Sequence, residues 1–513
     1  MRGFVSLVGA GPWDPERLTL AGRDRLARAD FVLADYLVNP ALFVHCPPHC
    51  EVHQRSAGPR GGTDIDQDAT TALLIERARA GLRVVRLKGG DPCMFGRGGE
   101  EAQALVAAGI PFELVPGVSS PIAAPESAGI PVTHRDFTPA VTFVSGWEAY
   151  EKSGLAVQWE HLARSAGTIV LLMGVRNAEL NARKLVEAGR DASTPAAAIR
   201  WGTRGIQRTV VATLGTIAQR IADEGLRAPA VLVVGEVVAL REELAWLESR
   251  PLFGKRVVVT RALDQGVSLA SALATAGADV AALPCLAIAP PEDPAAFAAA
   301  IAAIDAHDGV IVSSKNGVVE LGRALRAAGL DARVLAGRRV VAIGPATAAA
   351  LHEIGLRADL VPARANAEGL MAALREHGWT NASWLHVRAA DGRRILGDAI
   401  AAAGGRYTLA IAYRSIRPSV PPLLLRSLLA ADAGGEGMDA ICCASGQTAA
   451  NMLATMGEAW GDPLTRERIS ATRMIAIGPV TADAIRALGL PVHAVAQSTD
   501  DDAVVRAVIA ALA

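Results

Sequence analysis

Val84-Val85-Arg86-Leu87-Lys88-Gly89-Gly90-Asp91-Pro92, continuing to Phe95-Gly96-Arg97-Gly98-Gly99-Glu100, reads as a short apolar strand that ends in a glycine turn. Paired glycines let the backbone bend sharply and admit a ligand with no Cβ in the way. Asp91, at the strand's exit, can accept hydrogen bonds from hydroxyl or amino groups, and Pro92 stiffens the turn. Gly98-Gly99 then leads into Glu100-Glu101 and a helix-like run from Ala102 to Ala108. Taken alone this is an ordinary β–turn–α connection.

The same grammar recurs on either side. Val5-Ser6-Leu7-Val8 is a strand running into Gly9-Ala10-Gly11-Pro12-Trp13-Asp14, with a helix expected from about Pro15 to Ala29. Phe31-Val32-Leu33-Ala34 ends at Asp35, and Phe112-Glu113-Leu114-Val115 ends in Pro116-Gly117-Val118-Ser119-Ser120. Repeated strand, polar or glycine turn and helix is the α/β pattern. Ligands of such sheets lie outside the carboxyl ends of the strands, so these four turns can converge on one cleft. The first turn lacks the third glycine of a dinucleotide fingerprint, so it is not read as a Rossmann NAD site. Further strands with turns follow at Thr168 to Val175, Ala196 to Thr203 and Ala230 to Glu236, making a second α/β lobe. Met173, by itself, is the kind of residue that fills a core.

Composition bounds the classes. The chain has 513 residues, enough for several cores, with 51% hydrophobic and 20% charged residues. The net charge of -1 supplies no global basic field for nucleic acid, so acidic ligands must be met by local Arg or Lys clusters. No apolar run reaches the roughly 18 residues needed to span a bilayer. Six scattered cysteines fit a reducing cytoplasm rather than a disulfide scaffold. His45-Cys46-Pro47-Pro48-His49-Cys50, with His53 beyond, groups metal-ligand types, but the spacing matches no usual zinc pattern.

The ordered blocks GAGPWDPERLTL, RLKGGDPCMFGRGGEE, VPGVSSPIAAPESAGIPVTHRD, LLMGV and VVGEVV resemble the tetrapyrrole methylase family, specifically its uroporphyrinogen-III C-methyltransferases, over about residues 3–245. The resemblance implies two α/β lobes with S-adenosylmethionine between them. By motif position, the cofactor contacts would be Pro12, Gly89, Gly90, Asp91, Met94, Ser119, Ser120, Met173 and Gly202. The implied substrate carries many carboxylates, and Arg97 and Arg135 are candidate partners for them. Asp35 matches an aspartate implicated in proton transfer. Three places depart from the family pattern. The second glycine of the first turn is Trp13. The family's T-G-H is Ser145-Gly146-Trp147. A family segment containing a proposed proton-donating lysine is replaced by Gln54-Arg55-Ser56-Ala57-Gly58-Pro59-Arg60-Gly61-Gly62, which has no lysine. Arg55 or Arg60 could hold charge there but would be poor acids.

A linker is expected near Glu248 to Gly254, after which Val257-Val258-Val259-Thr260 opens a new strand. The second half carries an internal repeat. Val341-Ala342-Ile343-Gly344-Pro345 recurs as Ile475-Ala476-Ile477-Gly478-Pro479, and Val312-Ser313-Ser314 upstream has its counterpart in Cys443-Ala444-Ser445. Ser/Gly turns before helices suit carboxylates, because free N–H groups point at the anion. Thr260-Arg261 with Gln265, Ser313 to Gly317, Ile343 to Thr347, Tyr413-Arg414-Ser415, Ala444 to Gly446 and Ile477 to Pro479 together resemble the uroporphyrinogen-III synthase family over about 255–513. Implied carboxylate contacts are Thr260, Arg261, Ser314, Thr347, Ser445 and Thr481. Tyr413 matches a tyrosine thought to assist loss of the substrate hydroxyl.

The expected fold class is therefore α/β: a two-lobed tetrapyrrole methylase fold followed by a two-lobed uroporphyrinogen-III synthase fold. Expected domains are 1–247 (lobes about 1–117 and 118–247), a linker at 248–254, and 255–513 (lobes 255–288 plus 416–513, and 289–415). The implied activity is cyclisation of hydroxymethylbilane to uroporphyrinogen III and its methylation to precorrin-2, toward sirohaem or cobalamin. The alternative is an active synthase carrying a non-catalytic methylase half. S-adenosylmethionine is the expected cosubstrate, with no metal, no nucleic acid and no membrane. A cytoplasmic homodimer through the methylase half is expected by resemblance.

Overall fold

The structure is a computed structural model describing residues 3–55, 66–147, 157–165, 167–261, 263–391, 395–420, 425, 437–461, 467 and 469–513. Residues 56–62 of the lysine-less segment, Arg60 among them, and the Gln265 side chain lie outside the described residues. The chain divides into two compact units, Met1–Cys285 with Val420–Ala513, and Leu286–Ser419.

In the first unit, β1 (Phe4–Gly9), β2 (Phe31–Ala34), β3 (Glu51–Gln54), β4 (Arg83–Lys88) and β5 (Phe112–Val115) form a sheet in the order β3-β2-β4-β1-β5. All four pairings are parallel. Its inner strands are buried on both faces, as continuous apolar runs require. Val5, Leu7, Phe31, Leu33 and Val84 pack on one side with Leu74 and Leu105. Val8, Val32, Ala34, Val85 and Leu87 pack on the other with Leu26 and Leu42. The helix expected at 15–29 is broken into a 3-10 turn, Pro15–Arg17, and α1, Leu20–Leu26. Thr19 lies between them, and its hydroxyl caps α1 by accepting the Gly22 N–H at 3.1 Å. Helices α2 (Gln67–Arg79), α3 (Gly98–Ala107) and α4 (Ser120–Ser127) complete this part.

A second sheet holds β6 (Val141–Ser145), β7 (Thr168–Leu172), β8 (Pro195–Arg200), β9 (Arg208–Thr213) and β10 (Ala230–Val234), in the order β6-β7-β10-β8-β9. Only β6–β7 is parallel; the other pairings are antiparallel. A third sheet, also in the first unit, begins with β11 (Arg256–Val259) and β12 (Asp279–Ala282).

The second unit is built on β13 (Ala287–Ala289), β14 (Gly309–Val312), β15 (Arg339–Ala342), β16 (Ser383–Ala389) and β17 (Arg406–Ile416), in the order β13-β17-β16-β14-β15. Back in the first unit, β18 (Ala440–Cys443), β19 (Arg473–Ala476) and β20 (Ala494–Val495) complete the third sheet as β12-β11-β18-β19-β20, all parallel. The sequence repeat is structural. Ser314 and Ser445 each cap the helix after β14 or β18, and Gly344-Pro345 and Gly478-Pro479 each open a helix after β15 or β19. Among the described residues no helix is long and apolar enough to cross a membrane.

Candidate functional site

The turns after β1, β4 and β5 interlock. Gly11 donates its N–H to Gly90 O at 3.2 Å, and Gly90 donates to Gly11 O at 2.9 Å. A Cβ on Gly9 would lie 2.6 Å from Gly90 O, and one on Gly117 would lie 2.4 Å from the same oxygen. Glycine at 9 and 117 is thus demanded by backbone meeting backbone. Gly90 has φ +70, which demands glycine for another reason. Gly89 differs from all three: its nearest obstacle would be Leu37 Cβ at 3.7 Å. Nothing among the described residues requires glycine there, so Gly89 is a position that leaves room for a ligand.

Asp91 uses both carboxylate oxygens on the backbone. Oδ1 accepts the Cys93 N–H at 2.8 Å and Oδ2 the Gly117 N–H at 3.1 Å. Ser119, buried, is the N-cap residue of α4, and an ideal Cβ on Gly90 would sit 3.6 Å from the Ser120 nitrogen. From the second sheet, the loop after β8 packs onto α4, where a Cβ on Gly202 would meet Ala124 Cβ at 2.3 Å. Thr203 next to it donates its hydroxyl to Pro12 O and its N–H to Ser127 Oγ at 3.1 Å. Pro12, Gly89, Gly90, Asp91, Ser119, Ser120 and Gly202 are thereby brought together.

Backbone strain concentrates at the same turns. Non-glycine residues with positive φ among the described residues are Trp13, Phe95, Arg97, Met173, Trp201 and Thr203. Such conformations persist where the surroundings over-determine them, often around ligands. Met173 is 41% exposed with φ 57, so it is not the core filler that its residue type suggests. The buried indole N–H of Trp201 has no partner among the described residues.

Beneath the turns lies a buried charge network that pattern reading missed. Glu101 Oε1 accepts Lys88 Nζ at 2.9 Å, Gln67 Nε2 at 2.9 Å and Arg86 Nε at 3.3 Å. Arg86 reaches on to Asp35, which also meets Arg55 at 3.3 Å. Arg86, Lys88 and Glu101 are fully buried. Burial pushes the Asp35 carboxyl upward, but the charges of Arg86, Lys88 and Arg55 outweigh it and hold the group below its usual range. Lys88 is shifted down, first by burial and then by Arg86, against the pull of Glu101 and Asp35. The available signal was Arg86 and Lys88 standing inside an otherwise apolar strand.

The family model described as Tetrapyrrole (Corrin/Porphyrin) Methylases matches residues 5–218, and that of Uroporphyrinogen-III synthase HemD matches residues 267–506. A protein of Ruminiclostridium josui named Porphyrin biosynthesis protein HemD is 38% identical over 361 residues, 70% of this chain and 71% of its own. A Uroporphyrinogen-III C-methyltransferase of Bacillus subtilis (strain 168) is 38% identical over 361 residues, 70% of this chain and 73% of its own. The chain belongs to the tetrapyrrole methylase family, joined to the uroporphyrinogen-III synthase family. Its methylase half is also 46% identical over 243 residues to a Methanosarcina barkeri protein named S-adenosyl-L-methionine-dependent uroporphyrinogen III methyltransferase, 47% of this chain and 94% of that one.

In the methylase half, Met94 is half-buried and Arg97 is exposed, ion-paired with Glu100 at 3.3 Å. Arg135 is exposed. In the synthase half's second-unit portion, Ser314 Oγ accepts the Gly317 N–H at 2.9 Å and lies 2.9 Å from the Tyr413 hydroxyl, so two separately chosen candidates share one hydrogen bond. Beside them, Ser313 Oγ is bonded to His386 Nε2, whose Nδ1 meets the Tyr407 hydroxyl at 2.7 Å. Thr347 is buried in the first turn of the helix Pro345–Glu353. In the first-unit portion, Thr260 donates its buried hydroxyl to Cys442 O at 3.0 Å. Arg261 is ion-paired with Asp501 at 2.9 Å. Ser445 closes a capping box with Thr448, and Thr481 is buried in the first turn of Pro479–Ala487. Among the described residues, those of the His45–Cys50 stretch included, no three His, Cys, Asp or Glu side chains cluster as they would to hold a metal ion.

Proposed function

We propose that this chain closes hydroxymethylbilane to uroporphyrinogen III and methylates that product twice to precorrin-2, on the sirohaem or cobalamin route. One observation carries the reading. The family of the second half is named for forming the compound that relatives of the first half are named for methylating.

S-adenosylmethionine, when bound, would supply an electrophilic methyl group to a ring carbon of the substrate. The open position at Gly89, the buried Trp201 indole N–H and the strained turns at Trp13, Met173 and Trp201 suit such a group. Pro12, Gly89, Gly90, Asp91, Met94, Ser119, Ser120, Met173 and Gly202 would hold it. Asp35 stays a carboxylate at neutral pH and can accept the proton that the methylated ring gives up. Arg97 and Arg135 would take substrate carboxylates. In the synthase half, Thr260, Arg261, Ser314, Thr347, Ser445 and Thr481 would orient the linear substrate, and Tyr413 would help its hydroxyl depart as water. Orientation is the main contribution in both reactions.

The domain boundaries suggested by sequence, with the linker at 248–254, belong to this reading, as do a cytoplasmic setting and a homodimer through the methylase half. The test is incubation of the purified protein with hydroxymethylbilane, with and without S-adenosylmethionine. Uroporphyrinogen III without the cosubstrate and a dimethylated product with it are expected. Uroporphyrinogen III alone in both cases would instead support the non-catalytic methylase half that the lysine-less segment favours, and neither product would overturn both readings.

A further inference from the structure

Trp13 stands where the family pattern has a glycine, and its φ of 63 is a conformation suited to glycine. Something must hold a tryptophan there. The guanidinium of Arg204 lies over the Trp13 ring at 4.1 Å and over the Trp201 ring at 4.5 Å. Such stacks are strongest when the cation is desolvated, and Arg204 is buried.

Arg204 is held from the other half. Its Nε and Nη2 reach both carboxylate oxygens of Asp279, the first residue of β12, at 2.9 Å each. Asp279 is also buried and takes Arg256 Nε at 2.9 Å. Burial alone would raise the Asp279 carboxyl, yet Arg204 and Arg256 hold it ionised. The backbones meet as well. A Cβ on Gly205 would lie 2.2 Å from the Asp279 nitrogen, and Gly254 donates its N–H to Gly205 O at 2.7 Å. A second strap lies beside the turn, where Ser271 of the synthase half donates to Glu16.

We propose that Asp279 of the synthase half sets the shape of the cofactor turns of the methylase half, with Arg204 as the positioning residue between them. The path runs Asp279, Arg204, then Trp13 and Trp201, which adjoin Pro12 and Gly202. S-adenosylmethionine affinity then depends on an ion pair supplied by the other half. This rests on the assignment of those turns to the cofactor.

The test measures S-adenosylhomocysteine binding by calorimetry in the full chain, in four proteins: parent, Asp279→Asn, Trp13→Gly and the double variant. Asp279→Asn should weaken binding about tenfold, with the coupling energies typical of contacting residues. At saturating S-adenosylmethionine the maximal rate should hold while KM rises. In the Trp13→Gly background the same change should have a smaller effect, because one of the two tryptophan arms is already cut and only the Trp201 arm remains. Equal losses in both backgrounds, or unchanged binding in a destabilised Asp279→Asn, would overturn the proposal. If Asp279→Asn does not fold, Trp13→Gly alone decides: it should bind more weakly, and parent-like affinity would overturn the idea. Failure of the parent to bind would instead refute the cofactor assignment.

Discussion

Asp91 Oδ2 accepts the N–H of Gly117 at 3.1 Å, tying the turn after β4 to the turn after β5. The carboxylate read from sequence as a ligand contact is therefore also a joint. Asp91→Ala should cost about 1–3 kcal/mol by stranding two backbone donors. Asp91→Asn, which keeps one acceptor, should cost less. Urea unfolding with and without S-adenosylhomocysteine separates joint from contact. Stabilisation by ligand that survives intact in Asp91→Ala would show that the turn does not serve the cofactor.

Gly89 and Gly117 offer a paired comparison. Gly117→Ala drives a Cβ into Gly90 O and should destabilise by about 1–3 kcal/mol. Gly89→Ala meets nothing closer than 3.7 Å among the described residues and should change stability by no more than about 0.5 kcal/mol. Yet Gly89→Ala should lose S-adenosylhomocysteine affinity, since its side chain would occupy the open position. Calorimetry and thermal unfolding of both variants check this. Parent-like binding by Gly89→Ala would remove that position from the site.

Glu101→Gln should be among the most damaging single changes in the methylase half. It removes the buried anion facing Lys88 and Arg86, and breaking such a network by one partner costs about 3–5 kcal/mol. Denaturant unfolding measures the loss. A shift under about 1 kcal/mol would mean that the network is far better hydrated than its burial implies.

His386 makes the stability of the second unit pH-dependent. Burial, then the nearby Arg388 charge, push its imidazole down from 6.5 to about 3. The folded state refuses a proton that the unfolded chain accepts. Its contribution is therefore fully present above about pH 6.5 and fades as pH falls toward 3. Parent and His386→Asn should converge in stability across that window, by up to about 1.4 kcal/mol per pH unit. Unfolding midpoints at pH 7, 6, 5 and 4 would show it; parallel curves would contradict it.

Local patterns made the parallel sheets legible, because apolar runs ending in glycine or polar turns encode a strand and its exit together. The internal repeat was visible for the same reason. Ser314 and Tyr413 were each found separately, but their shared hydrogen bond was not, since it joins distant residues through the fold. Strands β7, β8 and β10 were read, but the antiparallel direction of β10 was invisible, because strand direction leaves no local trace. The 3-10 turn closed at Leu18 and Thr19 began a separate helix, where apolar spacing alone suggested continuity. Lys88 and Glu101 escaped notice because charge in a sequence reads as surface, whereas here opposite charges are buried as a set.

Arg204, stacked on two tryptophans and paired with Asp279, bears on how such a gene could be divided. A shortened chain ending near residue 250 would retain the guanidinium and discard its counter-charge, leaving a cation on newly bared surface next to the turn it supports. A chain starting there would expose Asp279 on the edge strand β12, with Arg256 of β11 paired to it. Fission would thus harm both products. Selection acting on either activity would then tend to preserve the join, so the two reactions would be inherited as one piece.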